Sequence, residues 1–119
     1  MRKLYIVKTN REFEKIINIG KIKKNRSFII YYKDNSLPYS RFGISVGKKL
    51  GNAVYRNKYK RIIRQIVDNY KKSYNNQQDY IIILRGSAKE KNYAELNNDF
   101  VTLMQTTRKE EIYEKTKSN

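Results

Sequence analysis

Residues 52–78 contain neither glycine nor proline, and their apolar side chains recur at helical spacing. Asn52 follows a Leu50-Gly51 turn and is a good N-cap, because its side-chain oxygen can accept from the free N–H groups of a first helical turn. A helix is expected over about 53–74. With a step of about 100° per residue, Arg56, Asn57, Lys60, Arg61 and Arg64 fall within about 140° of arc. Tyr55, Tyr59, Ile62, Ile63, Ile66 and Tyr70 fall on the other side. Such a helix must lay one face on another layer of structure and present the other outward.

The outward face carries one sign of charge. From Asn35 to Val67 there is no Asp or Glu, while Lys48, Lys49, Arg56, Lys58, Lys60, Arg61 and Arg64 all lie in this stretch. Like charges four residues apart destabilise a helix by a few tenths of a kcal/mol per pair. A solvated surface helix normally mixes signs, so a single-sign face points to a polyanionic partner. The formal net charge of +16 agrees. Clustering is the stronger sign, because Lys, Asn, Ile and Tyr are all written with A/T-rich codons. Arg26, Arg41, Arg56, Arg61, Arg64 and Arg85 run against that bias.

Other chemistries are excluded or disfavoured. The chain has no Cys and no His, which removes disulfides, thiolates and the commonest general base and metal ligand. No apolar run is long enough to span a membrane, and residues 1–15 lack the apolar core of a signal peptide. A cytoplasmic protein is expected. The 119 residues suit one RNA-binding domain over residues 1–119, with an ordered core at about 9–109 and a charged tail at about 110–119.

Along the chain, Thr9 and Glu12 fit a capping box opening a short helix, with Phe13, Ile16 and Ile17 on one face and Gly20 as its C′ residue. Residues 21–26 are basic, with room for a short strand. Residues 27–33 are aromatic and β-branched and read as a strand. After a turn at 34–38, residues 39–46 alternate: Phe42, Ile44 and Val46 face one way, Arg41, Gly43 and Ser45 the other. This strand is expected to pair with the preceding one as an antiparallel hairpin. Its small face suits something lying close to the sheet. Residues 73–79 read as a polar loop, and 80–84, YIIIL, as a central strand buried on both sides. Asn92 and Glu95 cap a last helix to about 109. The class is α+β, with helices on a small mixed sheet.

The acidic residues read as solvating or capping groups, with Asp34 and Asp79 in turns. None pairs at a spacing suited to a metal, and no phosphate-loop motif is present. The chain reads as a binder of nucleic acid. Aromatic groups beside cations suit unpaired nucleotides, and the candidates are Phe13, Tyr31 or Tyr32, and Tyr39.

Residues 43–65, GISVGKKLGNAVYRNKYKRIIRQ, resemble the protein subunit of bacterial ribonuclease P. The family pattern is a strand ending S-V-x-K-K, a G-N-A-V turn and R-N-R-x-K-R-x-x-R; here it reads ISVGKK, LGNAV, RNKYKR and IIR. The EFEKI helix before Gly20, the NRSFIIYY strand and DYIIILR agree as well, so the resemblance covers about 9–104. It implies an α-β-β-β-α-β-α order with a left-handed crossover around the long basic helix, as in the second domain of ribosomal protein S5. It also implies a catalytic RNA partner that holds the Mg²⁺ ions, with no cofactor bound by the protein alone. The implied substrate is precursor tRNA, whose 5′ leader is removed. Arg56, Asn57, Lys58, Lys60, Arg61 and Arg64 would contact the catalytic RNA. Phe13, Ile17, Tyr31, Lys48, Arg56 and Asn57 would line the leader cleft. Lys58 replaces the third residue of R-N-R, and Ile17 stands where an aromatic is common. A monomer is expected for the free protein. A ribosomal or ribosome-assembly protein with no processing role is the alternative; a nucleoid protein and a stand-alone metallonuclease rank below it.

Overall fold

The apolar run at the end of the chain's last strand sets the architecture. The computed structural model describes residues 6–71 and 77–105. Its elements are α1 (Asn10–Ile19), β1 (Lys21–Lys24), β2 (Phe28–Asp34), β3 (Arg41–Ser45), α2 (Ala53–Lys71), β4 (Gln78–Leu84) and α3 (Tyr93–Met104). The order is the expected α-β-β-β-α-β-α. α3 ends at Met104 with Gln105 as its C-cap, short of the expected end at about 109; the parts of the expected helices beyond 71 and 105 fall outside the described residues.

The sheet order is β1-β2-β4-β3, which corrects the expected β2–β3 hairpin. β4 lies between them, antiparallel to β2 from Phe28↔Leu84 to Asp34↔Gln78 and parallel to β3 from Arg41↔Asp79 to Ser45↔Ile83. The reason is burial. Tyr80, Ile81 and Ile82 are each at most 1% exposed, so β4 needs cover on both faces and a partner on both edges. β3, with Gly43 and Ser45 on one face, loses less at the outside. The connection 35–40 lacks a two-residue hairpin turn and passes the start of β4, where Asn35 N–H donates to Gln77 O at 2.9 Å. Parallel neighbours need a crossover, and α2 provides it.

Two cores result. Tyr80, Ile82 and Leu84 pack with Phe28, Ile30 and Phe42 under Tyr59, Ile63 and Ile66 of α2 and Leu96 and Phe100 of α3. On the other face Ile81 meets Val7 and Ile16, with Phe13, Tyr31 and Ile83 against them. The segment before α1 follows the outer edge of β3, where Val7 N–H donates to Phe42 O at 3.0 Å.

The helix starts follow the sequence closely. Asn52 Oδ1 accepts from Tyr55 N–H at 2.9 Å, and Asn92 with Glu95 completes a capping box. At α1 half the expected box forms. Thr9 Oγ1 accepts from Glu12 N–H at 3.1 Å, but the Glu12 carboxylate accepts instead from Arg41 and from the Thr9 hydroxyl. Gly20 is not in the left-handed conformation expected of a C′ residue; its φ is −78°. Glycine stands there because a Cβ would come within 2.4 Å of Ile16 O and 2.8 Å of Tyr32 O.

Asp79 is a further correction. It lies within β4, 3% exposed, rather than in a turn. Arg41, its register partner on β3, donates from Nε to Oδ1 at 2.9 Å and from Nη2 to Oδ2 at 2.7 Å. Asn35 adds a bond at 2.8 Å. Burial alone would raise the Asp79 pKa, but the bonds from Arg41 and Asn35 outweigh it and hold the carboxyl below its ordinary value. A depressed folded pKa contributes stability above the unfolded value and loses it as pH falls through the folded one. Asp79→Asn should therefore cost about 1.5–3 kcal/mol near neutrality, since it removes the charged bonds from Arg41 and leaves that guanidinium with Glu12 alone. Thermal unfolding followed by circular dichroism checks this: the gap between wild type and variant should narrow below about pH 4. A pH-independent gap would contradict the ion pair as its cause.

Candidate nucleic-acid interface

α2 divides as its periodicity requires. Tyr59, Ile63, Ile66 and Val67 are buried against the sheet. Asn57, Lys58, Arg61 and Arg64 are exposed, and Arg56 and Lys60 half-buried. Among the described residues, none of Arg56, Lys58, Lys60, Arg61 and Arg64 pairs with a carboxylate; Arg41 pairs with Glu12 and Asp79, and Lys91 with Asp99. Arg56 donates from Nε to Gly51 O at 3.3 Å, which folds its stem over the turn at the helix start. Lys58 Nζ lies 5.8 Å from the Tyr59 ring centroid. This face thus holds cations whose guanidinium and ammonium groups have no anionic partner within the described protein.

The leader-cleft candidates lie on the opposite face of the sheet. Strand alternation and register place three rows there: Tyr31–Ile81–Gly43, then Ile29–Ile83–Ser45 on one side and Lys33–Asp79–Arg41 on the other. The Phe13 ring rests on the middle row; a Cβ on Gly43 would lie 2.5 Å from Phe13 Cζ and 2.9 Å from Ile81 Cδ1. The small face of β3 therefore receives the chain's own Phe13. Ile17, one turn on, is 36% exposed. Tyr31 is half-buried on this face, while Tyr32 points into the main core, which settles which of the two faces α1. Ile29, Ile83 and Ser45 are also half-buried, forming an apolar floor beside Phe13 and Tyr31. Tyr39 lies in the connection before β3, half-buried.

The predicted residues thus form two groups and a junction. Phe13, Ile17 and Tyr31 share the α1 side; Lys58, Lys60, Arg61 and Arg64 lie on a helix packed to the other side. Lys48, in a 3-10 turn after β3, and Arg56 and Asn57, in the first turns of α2, stand where the chain passes from one side to the other.

Sequence reasoning gave no role to cations that join the start of α2 from elsewhere. Lys89 Nζ lies 6.0 Å from the Tyr55 ring centroid. Arg85 Nη1 donates to Asn25 O at 2.9 Å, and the Ser87 hydroxyl donates to Arg26 O. The turn Gly86–Ala88 thereby ties the β1–β2 connection to the end of the sheet that carries Lys48 and Lys49. The one sequence sign was that Arg26 and Arg85 run against the codon bias. Where two carboxylates approach, at Glu12 and Asp79, the Arg41 guanidinium stands between them, so that place does not suit Mg²⁺. Among the described residues no group of three or more His, Cys, Asp or Glu could hold a metal ion. No helix there is long and apolar enough to cross a membrane.

Comparison with known proteins identifies the fold and motif together. A family model described as Ribonuclease P matches residues 1–108. The chain is 47% identical over 105 residues to the Ribonuclease P protein component of Mycoplasma mycoides subsp. mycoides SC, covering 87% of this chain and 96% of that relative. The solved structure of a mutant RNase P protein from Staphylococcus aureus superimposes with a TM-score of 0.81 at 38% identity, over 87% of each chain. That of the RNase P protein from Thermotoga maritima does so at 0.78 and 27%, over 85% of this chain and 96% of that one. The chain belongs to the ribonuclease P protein family, the protein component of a tRNA-processing ribonucleoprotein endoribonuclease built on the ribonuclease P RNA.

Proposed function

We propose that the exposed side of α2 binds the catalytic RNA of ribonuclease P while the α1 side of the sheet holds the 5′ leader of precursor tRNA. The observation that carries this reading is the set of cations on α2 without internal carboxylate partners, backed by a buried apolar face. Phosphates neutralise such a face and release counterions, so affinity comes without sequence information. On the other side, Phe13, Tyr31 and the half-buried Ile29, Ile83 and Ser45 offer a mostly apolar strip for unpaired bases, which stack on aromatic rings. Ile17 contributes apolar contact in place of a stacking ring. Lys48, Arg56 and Asn57 hold the leader's phosphates where both RNAs meet.

Bond cleavage belongs to the RNA and its Mg²⁺ ions. The protein supplies binding and placement, and acts as a monomer in the cytoplasm. The isolated protein should cleave nothing. Added to catalytic RNA and precursor tRNA at low Mg²⁺, it should accelerate leader removal; a ribosomal or assembly protein would leave the rate unchanged.

Two variant sets test the two sides. Arg56→Ala, Arg61→Ala and Arg64→Ala should each weaken catalytic-RNA binding and make the slope of log K against log salt shallower by about 0.7–0.9. Unchanged slopes in all three would remove α2 as the phosphate face. Phe13→Ala should weaken precursor binding more than mature tRNA binding by the holoenzyme, with stacking worth about 1–3 kcal/mol per base. Equal losses on both would assign Phe13 to packing alone.

A further inference from the structure

α1 is held to the sheet by little apolar contact. Ile16 is its one buried residue, and Phe13 is half-buried on Gly43. A helix resting on one stripe of contact can roll, and rolling would move Phe13 across the middle row of the sheet. The two flanks of α1 differ. With a step of about 100° per residue, Ile17 lies beside Phe13 toward the apolar strip, and Glu12 and Lys15 lie on the other flank. On that other flank is a cavity of about 310 Å³, lined by Glu12, Lys15, Lys33, Asn35, Arg41 and Asp79 among others. Apolar packing does not fill it. What crosses it is an ion pair, Arg41 Nη1 to Glu12 Oε2 at 2.8 Å.

Arg41 is a fixed post. Its other two donors grip both oxygens of buried Asp79, and a planar guanidinium held at two points cannot swing. Glu12 is fixed in turn, since Oε1 accepts from the Thr9 hydroxyl at 3.3 Å. The link therefore runs from the floor of the sheet, through Arg41, to the flank of α1 away from the leader strip.

We propose that Glu12 is a positioning residue: by tying α1 to the Arg41–Asp79 pair it sets the roll of the helix and so places Phe13 for the leader. This rests on the leader reading above for its consequence, and on the geometry alone for the positioning. The variant that isolates it is Glu12→Gln, which keeps an acceptor for Thr9 but removes the charge that holds Arg41. Arg41 itself is a poor target, because its loss would strand Asp79.

The test uses holoenzyme reconstituted with catalytic RNA, measuring Kd for precursor and mature tRNA with wild type, Glu12→Gln, Phe13→Ala and the double variant. Glu12→Gln should reduce the preference for precursor by about threefold to fivefold, the scale of a partly exposed ion pair, and leave mature tRNA binding unchanged. In the Phe13→Ala background it should add little, since it acts through Phe13. Amide hydrogen exchange on the free protein should be faster in α1 and unchanged in α2. An unchanged preference, an equal loss for both tRNAs, or full additivity with Phe13→Ala would overturn the proposal. If Phe13→Ala alone leaves the preference unchanged, the leader reading fails by itself. Exchange in α1 then still decides the positioning role, and unaltered exchange overturns it.

Discussion

Ile81 and Ile82 point to opposite faces of the sheet and both are fully buried. Each contributes about 1.5–3 kcal/mol through that burial, and each needs a cover. Ile82 is covered by α2 and α3; Ile81 is covered by α1 and Val7. This double demand puts β4 at the centre, pushes β3 to the far side of it, and requires a crossover helix between two parallel strands. The crossover is the basic helix. The same constraint therefore separates the cationic face of α2 from the aromatic strip under α1, and leaves the β3–α2 junction as the place where both sides are reached.

Charge is distributed with the same separation. Three carboxylates that fasten elements together, Glu12, Asp79 and Asp99, are drawn to Arg41 and Lys91. The Arg41 hydrogen bond and its charge hold Glu12 below its usual pKa. For Asp99, burial works upward but the Ser27 and Lys91 bonds prevail and lower it. These acids serve to fasten one element to another: α1 to the sheet, and α3 to the β1–β2 connection. None of these three lies on α2, where Asp68, one turn past Arg64, is the one acid of the helix. The free protein keeps the mutual repulsion of that face, and a polyanion that binds the folded state relieves it and raises stability by mass action.

Much of this was legible from residue pattern. The α2 wheel, its Asn52 cap and the alternation of Phe42, Ile44 and Val46 against Gly43 and Ser45 are local properties, written in spacing of three, four or two. The double burial of residues 80–84 was legible for the same reason, although its consequence for strand order was not drawn: a hairpin between neighbouring strands is the simplest pairing until a later strand competes for the position. The Arg41–Asp79–Glu12 cluster joins residues far apart in sequence, so Asp79 looked like a loop acid and Glu12 like half of a capping box. Gly20 and Gly43 were recognised as special positions, but what presses on them, the Tyr32 backbone and the Phe13 ring, appears only when the layers are stacked. The roles of the site residues came from the motif resemblance, and the fold supplies the two sides on which they stand.

The central claim is that two RNAs occupy two sides of one small sheet. The chain contains no cysteine, so a single introduced thiol can carry a cleavage reagent to a chosen place. Gln65→Cys puts it on the exposed side of α2, and Glu14→Cys on the exposed side of α1. With an iron chelate attached and the holoenzyme bound to precursor tRNA, the first should cut the catalytic RNA and the second the leader. Both reagents cutting the same RNA, or the two patterns exchanged, would contradict the account.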